Sequence, residues 1–228
     1  MKSRPSIQID RDKLRAAIRN LSNEYIFYLL SEAIDLLPPA KLYKLAKGYL
    51  DPEQLRPDAE SATDSGLLAD VKRFEKASRT GGYYESFDVN GKNSTQKSTG
   101  TSAWIADCLR LLNRCVRDAR KSDPSEVRLA FDILFGLLDH IDECLDDVIF
   151  FADEGGSWQV GVDWDNVLPP WFKVLSATAT PEEYAERILE LLSNHYRYGH
   201  DKMLVIARRQ ATPAQRQAMA KAEATCTR

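Results

Sequence analysis

The sequence contains 228 residues, enough for one or two domains, and its 43% hydrophobic and 29% charged residues are typical of a globular protein and exclude wholesale disorder. The N-terminus has no apolar run of signal-peptide length, and no uncharged apolar stretch approaches the ~20 residues of a membrane span. We therefore expect a soluble, cytoplasmic protein with no membrane partner. Residues 129–172 contain ten Asp or Glu and no Lys or Arg, so within a net charge of −3 the rest of the chain carries plus seven.

Three helices are predicted in the N-terminal part of the chain, over residues 10–21, 22–37 and 39–49. The second helix has a broad apolar face that we expect to be buried, since its members recur at helical spacing. They are Tyr25, Ile26, Leu29, Leu30, Ala33 and Leu37. The Pro38-Pro39 pair ends this helix, and Pro39 can begin the third helix as an antiparallel partner because proline is tolerated in a first turn.

The helical period is lost over residues 51–65, where Pro52, Pro57 and several acidic residues are typical of a linker. We predict a single all-α domain over 1–228. A subdivision at this linker is the alternative, with an N-terminal helical hairpin at 1–60 and a main helical array at 61–228.

A fourth helix is predicted over residues 64–78, followed by a long irregular loop over 79–100. The Asn90-Gly91 dipeptide is a turn signal, and a β-hairpin around it is one interpretation. The residues after the turn lack apolar alternation, which favours an ordered irregular loop. Loops of this length are uncommon in compact domains unless they are functional or mobile.

The fifth helix is predicted to begin at Thr101 or Ser102, and one of its faces is basic. Its basic residues follow at steps of four, three and four: Arg110, Arg114, Arg117 and Lys121. A short turn connects this helix to the acidic one, so we expect the two to be antiparallel neighbours. Pairing between the basic and acidic faces, or plain solvation, is the favoured interpretation, and a surface for an outside partner is the alternative.

The acidic helix is predicted over residues 125–152, with Gly136 and residues 139–140 as possible break points. One face is apolar and is expected to be buried. The opposite face carries Asp132, Asp139, Asp142, Glu143, Asp146 and Asp147. Beyond it, residues 157–164 alternate in character and predict a short extended segment, whose Trp158 and Trp164 are interpreted as a lid over the helical core.

The C-terminal part predicts four more helices. Pro169 or Pro170 can begin the first, and Thr180 with Pro181 predicts the start of the second, because a hydroxyl cap and a proline both suit a first helical turn. Gly199 ends that helix, and the chain returns over residues 202–210. A weakly apolar helix over 213–224 completes the chain.

Two of these hairpins share a sequence pattern. Residues Glu24-Tyr25 and Leu29-Leu30, followed by Leu42 and Leu45-Ala46-Lys47, align with Glu183-Tyr184 and Ile188-Leu189, followed by Met203 and Ile206-Ala207-Arg208. Helical pairs with short loops and no strands resemble α-solenoid proteins of the HEAT or TPR kind. The resemblance implies an all-α fold of helical hairpins stacked as a short α-solenoid or an irregular bundle. It implies no chemistry.

No catalytic, dinucleotide or phosphate-loop motif is present, so we predict no catalytic residue and no cofactor, and we favour a non-enzymatic role. The favoured function is a protein–protein interaction scaffold that binds a protein partner through a concave helical surface and the loop 79–100. The first alternative is a metal-dependent enzyme or ion-binding protein using the acidic helix over 139–154, where His140 and Cys144 lie four residues apart. The second is nucleic-acid binding through the basic helix over 110–121.

The predicted interaction surface combines both charged faces with the aromatic residues near them. Its members are Tyr83, Tyr84, Arg110, Arg114, Arg117, Lys121, Asp142, Glu143, Asp146, Asp147, Trp158 and Trp164. No metal ligand is assigned, and the sequence leaves the oligomeric state open.

Overall fold

The computed structural model describes residues 9–51, 66–143, 148–152 and 155–226. Within these ranges the chain forms ten α-helices and no β-strand, which confirms the predicted all-α fold. The chain divides into two units, Met1–Leu55 and Arg56–Arg228, and the boundary lies inside the predicted linker. None of the helices in the described ranges is both long and apolar enough to cross a lipid bilayer.

The N-terminal unit consists of three short helices: α1 (Arg11–Arg19), α2 (Asn23–Leu36) and α3 (Pro39–Ala46). Asp10 caps α1, and Pro39 lies in the first turn of α3 as expected. No residue over 9–51 whose side chain is described is buried. The prediction of a buried face on α2 is therefore wrong for Tyr25, Leu29 and Leu30, which are all exposed. Three helices of this length enclose too little volume to bury large side chains by themselves.

The C-terminal unit contains the other seven α-helices of the described chain. They are α4 (Leu67–Arg79), α5 (Thr99–Asp118), α6 (Pro124–Asp142), α7 (Trp164–Thr178), α8 (Pro181–His195), α9 (His200–Gln210) and α10 (Pro213–Cys226). Helix α6 packs against α4, α5 and α7, while α8 packs against α9 and α10. Aromatic side chains fill the centre: Trp104, Phe131, Phe135, Trp171, Phe172 and Tyr184 are almost completely buried.

Hydrogen bonds pair two polar side chains inside this core, whereas the buried Nε1 of Trp171 has no hydrogen-bond partner among the described residues. The indole of Trp104 donates from Nε1 to Ser78 Oγ at 2.8 Å, and Ser78 donates in turn to the carbonyl of Phe74 at 2.8 Å. Tyr184 Oη donates to the carbonyl of Ala207 at 2.9 Å and so joins α8 to α9. These bonds matter because an unpaired polar group in an apolar core destabilises the folded state.

Two cysteines of α5, Cys108 and Cys115, are buried free thiols, as the apolar spacing of the helix predicts. Burial raises the pKa of both thiols above their ordinary value, because the interior disfavours the thiolate. They therefore act as small apolar core residues in the folded chain.

Two helix boundaries differ from the sequence prediction. Helix α5 begins at Thr99 because Ser98 Oγ accepts the Thr101 N–H, so Ser98 is the cap rather than Thr101 or Ser102. Helix α6 is continuous through Gly136 and ends at Asp142, ten residues before the predicted end. Its C-cap is Glu143, and the next four residues lie outside the described part of the chain.

The loop over 80–98 is irregular, as the sequence favours. It forms no hairpin, and its pairing is a single antiparallel bridge between Lys97 and Phe151. Gly81 has a φ of 74°, a conformation that glycine adopts without strain, and it turns the chain away from α4.

The prediction of an extended segment over 157–164 is wrong. Residues Ser157–Val160 form a 3-10 helix, and Gly161 follows with a φ of 72°. This turn points Val160 into the core and Trp158 outward, so Trp158 is not a lid. Helix α7 begins at Trp164, well before Pro169 and Pro170, because Asp163 accepts the Asn166 N–H and supplies an earlier cap.

The C-terminal hairpin agrees with its sequence signals. Thr180 Oγ1 accepts the Glu183 N–H at 3.2 Å, and Pro181 opens α8. The returning helix α9 begins at His200, two residues earlier than predicted, after a 3-10 turn over Arg197–Gly199.

Candidate functional site

The candidate site is built around the 3-10 helix Ser157–Val160, which we call the Trp158 turn. The carboxylate of Asp142, at the end of α6, holds the start of this turn with both oxygens. Oδ1 accepts the Ser157 N–H at 2.6 Å, and Oδ2 accepts the Ser157 hydroxyl at 2.6 Å. Charge-assisted bonds of this length are among the stronger hydrogen bonds in proteins, so the turn is fixed to the core helix.

Two glycines permit the close approach of the turn to its surroundings. A methyl group added at Gly156 would lie 2.9 Å from Trp158 Cδ1 and 3.0 Å from Asp142 Oδ1. At Gly155 it would lie 2.1 Å from ring carbons of Phe151. The indole edge of Trp158 and the carboxylate of Asp142 are therefore neighbours across a backbone that has no room for a larger residue.

His195, the last residue of α8, supports the turn from beneath. Its imidazole is only 2% exposed and stacks on the indole of Trp164, with ring centroids 5.3 Å apart. Nε2 donates to Asp139 Oδ1 at 2.8 Å, since a carboxylate only accepts. Nδ1 lies 3.2 Å from Ser157 Oγ and 3.5 Å from Asp142 Oδ2. One imidazole thus joins α8, the end of α6 and the turn.

The chain of Asp139, His195 and Ser157 has the residue types of a nucleophilic triad, but its geometry is that of a structural clasp. The Ser157 hydroxyl donates its proton to Asp142 Oδ2 and not to the histidine, so the histidine does not activate it. Ser157 is 9% exposed, and the cavity beside Asp139 and His195 holds about 10 Å³, space for no more than a water. The arrangement positions a turn and has no room for a substrate.

An open cleft of about 420 Å³ lies beside the turn. Its lining comes from three segments: residues 94–97 of the long loop, residues 150–152, and Trp158 with Gln159. Lys97 Nζ donates to the Gln159 carbonyl at 3.3 Å and so joins the long loop to the Trp158 turn. The bridge between Lys97 and Phe151 joins the long loop to the segment 150–152. Trp158 stands at the edge of the cleft with 73% of its surface exposed.

Aromatic side chains support the cleft. Phe150 contacts Phe87 edge-on at a centroid distance of 5.0 Å and Tyr84 at 6.2 Å. Thr101 donates from Oγ1 to the Phe150 carbonyl at 2.8 Å and accepts the Phe150 N–H at 3.2 Å, which attaches this segment to the start of α5. Phe87 and Tyr84 therefore support Phe150, which lines the cleft together with Trp158.

The basic face of α5 does not gather in the cleft. Arg110 pairs with Asp107 one turn away at 3.1 Å, and Arg114 pairs with Asp70 of α4. Arg117 and Lys121 are exposed further along the helix. The predicted aromatic neighbour Tyr83 donates from Oη to Asp107 at 2.8 Å. Burial, and then the charge of Asp107, raises the pKa of Tyr83 above its ordinary value.

The acidic face of α6 meets α8. Asp132 accepts from Arg128 in its own helix at 3.2 Å and from Arg187 of α8 at 3.5 Å, and Arg128 also pairs with Glu183. Together with the Asp139–His195 pair, these contacts correct the expectation that α5 supplies the counter-charges for Asp132 and Asp139. Helix α8 places Arg187 beside Asp132 and His195 beside Asp139 of α6.

The other residues of the predicted interaction surface do not lie together in the structure. Glu143 is exposed at the end of α6, whereas Asp146 and Asp147 lie outside the described residues, as does Cys144. Trp164 is partly buried against Phe135 at a centroid distance of 5.7 Å. Over the described ranges, no three His, Cys, Asp or Glu side chains come together as a group able to hold a metal ion.

Sequence reasoning missed the clasp of Ser157, Asp139 and His195. Asp139 and His195 are 56 residues apart, and no local spacing connects them. The one available signal is the Gly155-Gly156 pair before a serine and a tryptophan, because paired glycines indicate close backbone approach. Comparison with known proteins adds no name to this site: no protein family, no curated protein and no solved structure matches the chain.

Proposed function

We propose that the protein is a helical interaction module that binds an extended, basic segment of a partner protein in the cleft beside Trp158. The observation that carries the proposal is the combination of exposure and fixation at this residue. Trp158 presents 73% of its surface to solvent, while the residue before it is held by both oxygens of Asp142. Tryptophan is among the residue types enriched at binding hot spots, and a turn whose start is already fixed loses little conformational freedom on binding.

The shape of the cleft supports an extended segment as its occupant. It is open and lies between two irregular stretches, residues 94–97 and 150–152, which supply hydroxyl, amide and backbone groups along one edge. An extended peptide can use such groups for main-chain hydrogen bonds while one side chain contacts the indole. The aromatic support from Tyr84 and Phe150 adds apolar contact area.

The charge of the neighbouring chain supports a basic segment. Residues 139–154 contain seven Asp or Glu and no Lys or Arg. Of these, Asp142 holds the start of the Trp158 turn through Ser157, and the following residue Glu143 is exposed. An arginine or lysine over the indole face would gain a cation–π contact of about 0.5–1 kcal/mol, and the acids would attract it over a longer range.

The architecture suits an interaction role. In the C-terminal unit, α4 packs on α6, α7 on α9, and α8 on α10. Contacts between helices two apart in the chain are expected when helical hairpins stack as a short α-solenoid, a fold class that binds partners along extended surfaces. The two rival functions have less support. Arg110 and Arg114 are engaged by carboxylates, and the described acids Asp139 and Asp142 are engaged by His195 and Ser157.

The proposal is tested by selecting random short peptides displayed on phage against the full chain, with the Trp158→Ala chain as the counter-selection. We expect arginine- or lysine-rich peptides, and at least about tenfold weaker binding to Trp158→Ala, which is the loss expected at a hot spot. Tyr198→Ala is the matched control, because Tyr198 is a fully exposed aromatic on the turn Arg197–Gly199, and it should leave the affinity unchanged. Selected peptides that bind both variants equally would contradict the proposal.

A further inference from the structure

We propose that a second open cleft, between the end of α5 and helix α7, binds an extended, acidic segment of a partner protein. This inference is independent of the Trp158 cleft, because the two clefts share no lining residue. The second cleft has a volume of about 590 Å³, which is within the range of ligand-binding clefts. Its walls come from the end of α5, from α7 and from Gln210 at the end of α9, all in the C-terminal unit.

The α7 wall of this cleft is a single helical face. Asn166, Pro169, Pro170 and Lys173 follow one another at steps of three, one and three, which places them on one side of the helix. At 1.5 Å per residue this face is about 10 Å long. The other long wall is the last turn of α5 with its C-cap, over residues 116–120. The groove between them has the length of roughly three residues of extended chain.

The cleft carries two positive charges that no carboxylate of the described chain neutralises. Arginines elsewhere in this unit pair with carboxylates, as Arg110 does one turn along its own helix. Arg120 and Lys173 are exposed and have no such partner among the described residues. The carboxylate of Asp165 also lines the cleft, but Lys202 donates to it at 2.7 Å and balances its charge. The net charge of the cleft is therefore positive, and acidic side chains of a partner would complement it.

The two prolines of α7 leave a backbone acceptor at the same cleft. In an α-helix the carbonyl of Asn166 accepts from the N–H of residue 170, or of residue 169 in a tighter turn. Both positions are prolines, which have no N–H, so neither can donate to this carbonyl. The main-chain N–H groups of an extended segment can supply the missing donor. An acidic segment thus matches both the charge and the backbone acceptor, whereas a small anion without donors matches only the charge.

The first test selects random short peptides displayed on phage against the full chain, with the Arg120→Glu/Lys173→Glu chain as the counter-selection. We expect peptides rich in Asp or Glu that bind this double variant at least about tenfold more weakly. Lys72→Glu/Lys76→Glu is the matched control, because it makes the same change in charge at two exposed lysines of α4, outside the cleft, and should leave the affinity unchanged. The absence of retained peptides, retained peptides without an excess of acids, or equal binding by the double variant would overturn the proposal.

A second test concerns the backbone acceptor and changes no charge. Pro170→Ala restores an N–H four residues after Asn166, so the carbonyl regains a donor within α7. We expect the selected peptides to bind this variant about threefold more weakly, while its thermal stability is equal or higher. Pro213→Ala is the matched control, because Pro213 is the first residue of α10, where an N–H has no helical partner.

The same variants distinguish a small anion from a peptide, with phenyl phosphate as the probe. We expect phenyl phosphate to bind more weakly than the selected peptides and to be indifferent to Pro170→Ala. Phenyl phosphate binding that is lost in Arg120→Glu/Lys173→Glu, together with a peptide affinity that Pro170→Ala leaves unchanged, would assign the cleft to a small anion and overturn the proposal.

Discussion

The hairpins α2/α3 and α8/α9 share a sequence pattern but differ completely in burial. Tyr25 and Tyr184 occupy the same place in the pattern, and Tyr25 is 60% exposed whereas Tyr184 is fully buried with its hydroxyl bonded to Ala207. Leu29 is exposed and Leu42 is half-buried, whereas the matching Ile188 and Met203 are buried. Helix α8 is covered by α9 and α10 and paired with α6.

The difference teaches that an amphipathic pattern specifies which residues require burial but does not specify what buries them. In the C-terminal unit the covering helices are in the same chain. Within the N-terminal unit, the described residues of that unit leave the same requirement unmet. The predictions below test the contrast, beginning with the largest expected effect.

Removing the tyrosine ring should change the free energy of unfolding strongly in the hairpin α8/α9 and very little in the hairpin α2/α3. We expect Tyr184→Ala to lower the free energy of unfolding of the C-terminal unit by roughly 3–5 kcal/mol, because it leaves a large cavity and an unpaired carbonyl. Tyr25→Ala should change the unfolding free energy by less than about 0.5 kcal/mol. Urea unfolding followed by helical circular dichroism measures both. Similar losses from the two variants would remove the contrast.

The anchoring of α8 at its C-terminus should depend on His195. We expect His195→Ala to lower the unfolding free energy by roughly 1–3 kcal/mol, because it removes the stack on Trp164 and a donor to Asp139. The matched control is His200→Ala, since His200 lies at the surface beside Asp201 and should contribute less than about 0.5 kcal/mol. Thermal unfolding of the two variants under identical conditions makes the comparison. Equal melting temperatures would show that the clasp contributes nothing.

The close approach at the Trp158 turn should be sensitive to a single methyl group. We expect Gly156→Ala to lower the unfolding free energy by about 1–2 kcal/mol and to shift tryptophan fluorescence, because the methyl group displaces the Trp158 indole or the Asp142 carboxylate. Gly91→Ala is the control, since a methyl group there meets no atom within 4 Å. It should be neutral or slightly stabilising. A neutral Gly156→Ala variant with unchanged fluorescence would contradict the described packing.

The smallest effect concerns the ion pair that joins α8 to α6. A hydrogen bond from Arg128 holds the pKa of Glu183 below its ordinary value. A depressed pKa in the folded state means that the stabilisation is present above the unfolded pKa of about 4.3 and is lost as the pH falls through the lower folded value. Because Glu183 is 38% exposed, solvent screens the pair and we expect less than about 1 kcal/mol. Glu183→Gln should flatten the loss of stability below about pH 4.3, and an unchanged acid titration of stability would contradict this.

The sequence predicted most of the fold because the apolar period in the C-terminal unit corresponds to real burial. Trp104, Leu111 and Cys115 on α5 are buried as their spacing predicts, and the Thr180 cap begins α8. The same reasoning failed for Leu29 and Leu30, because the helical spacing of apolar residues does not show which helix, if any, packs against them.

The candidate site was only partly predictable. The sequence places Trp158 in the predicted interaction surface, but its alternation with Gln159 and Val160 suits a strand as well as a 3-10 helix. The Asp142 contacts and Gly161 select the 3-10 helix. The clasp depends on Asp139 and His195, whose pairing is set by how α8 packs on α6. Tertiary contacts of this range leave no trace in local spacing.

The central claim, that neighbouring helices of its own unit cover α8 whereas the N-terminal unit leaves α2 exposed, is tested most directly by amide hydrogen exchange of the full chain. Our account predicts that the amides of α8 are strongly protected and that those of α2 exchange much faster. Equal protection of the two helices would contradict the account.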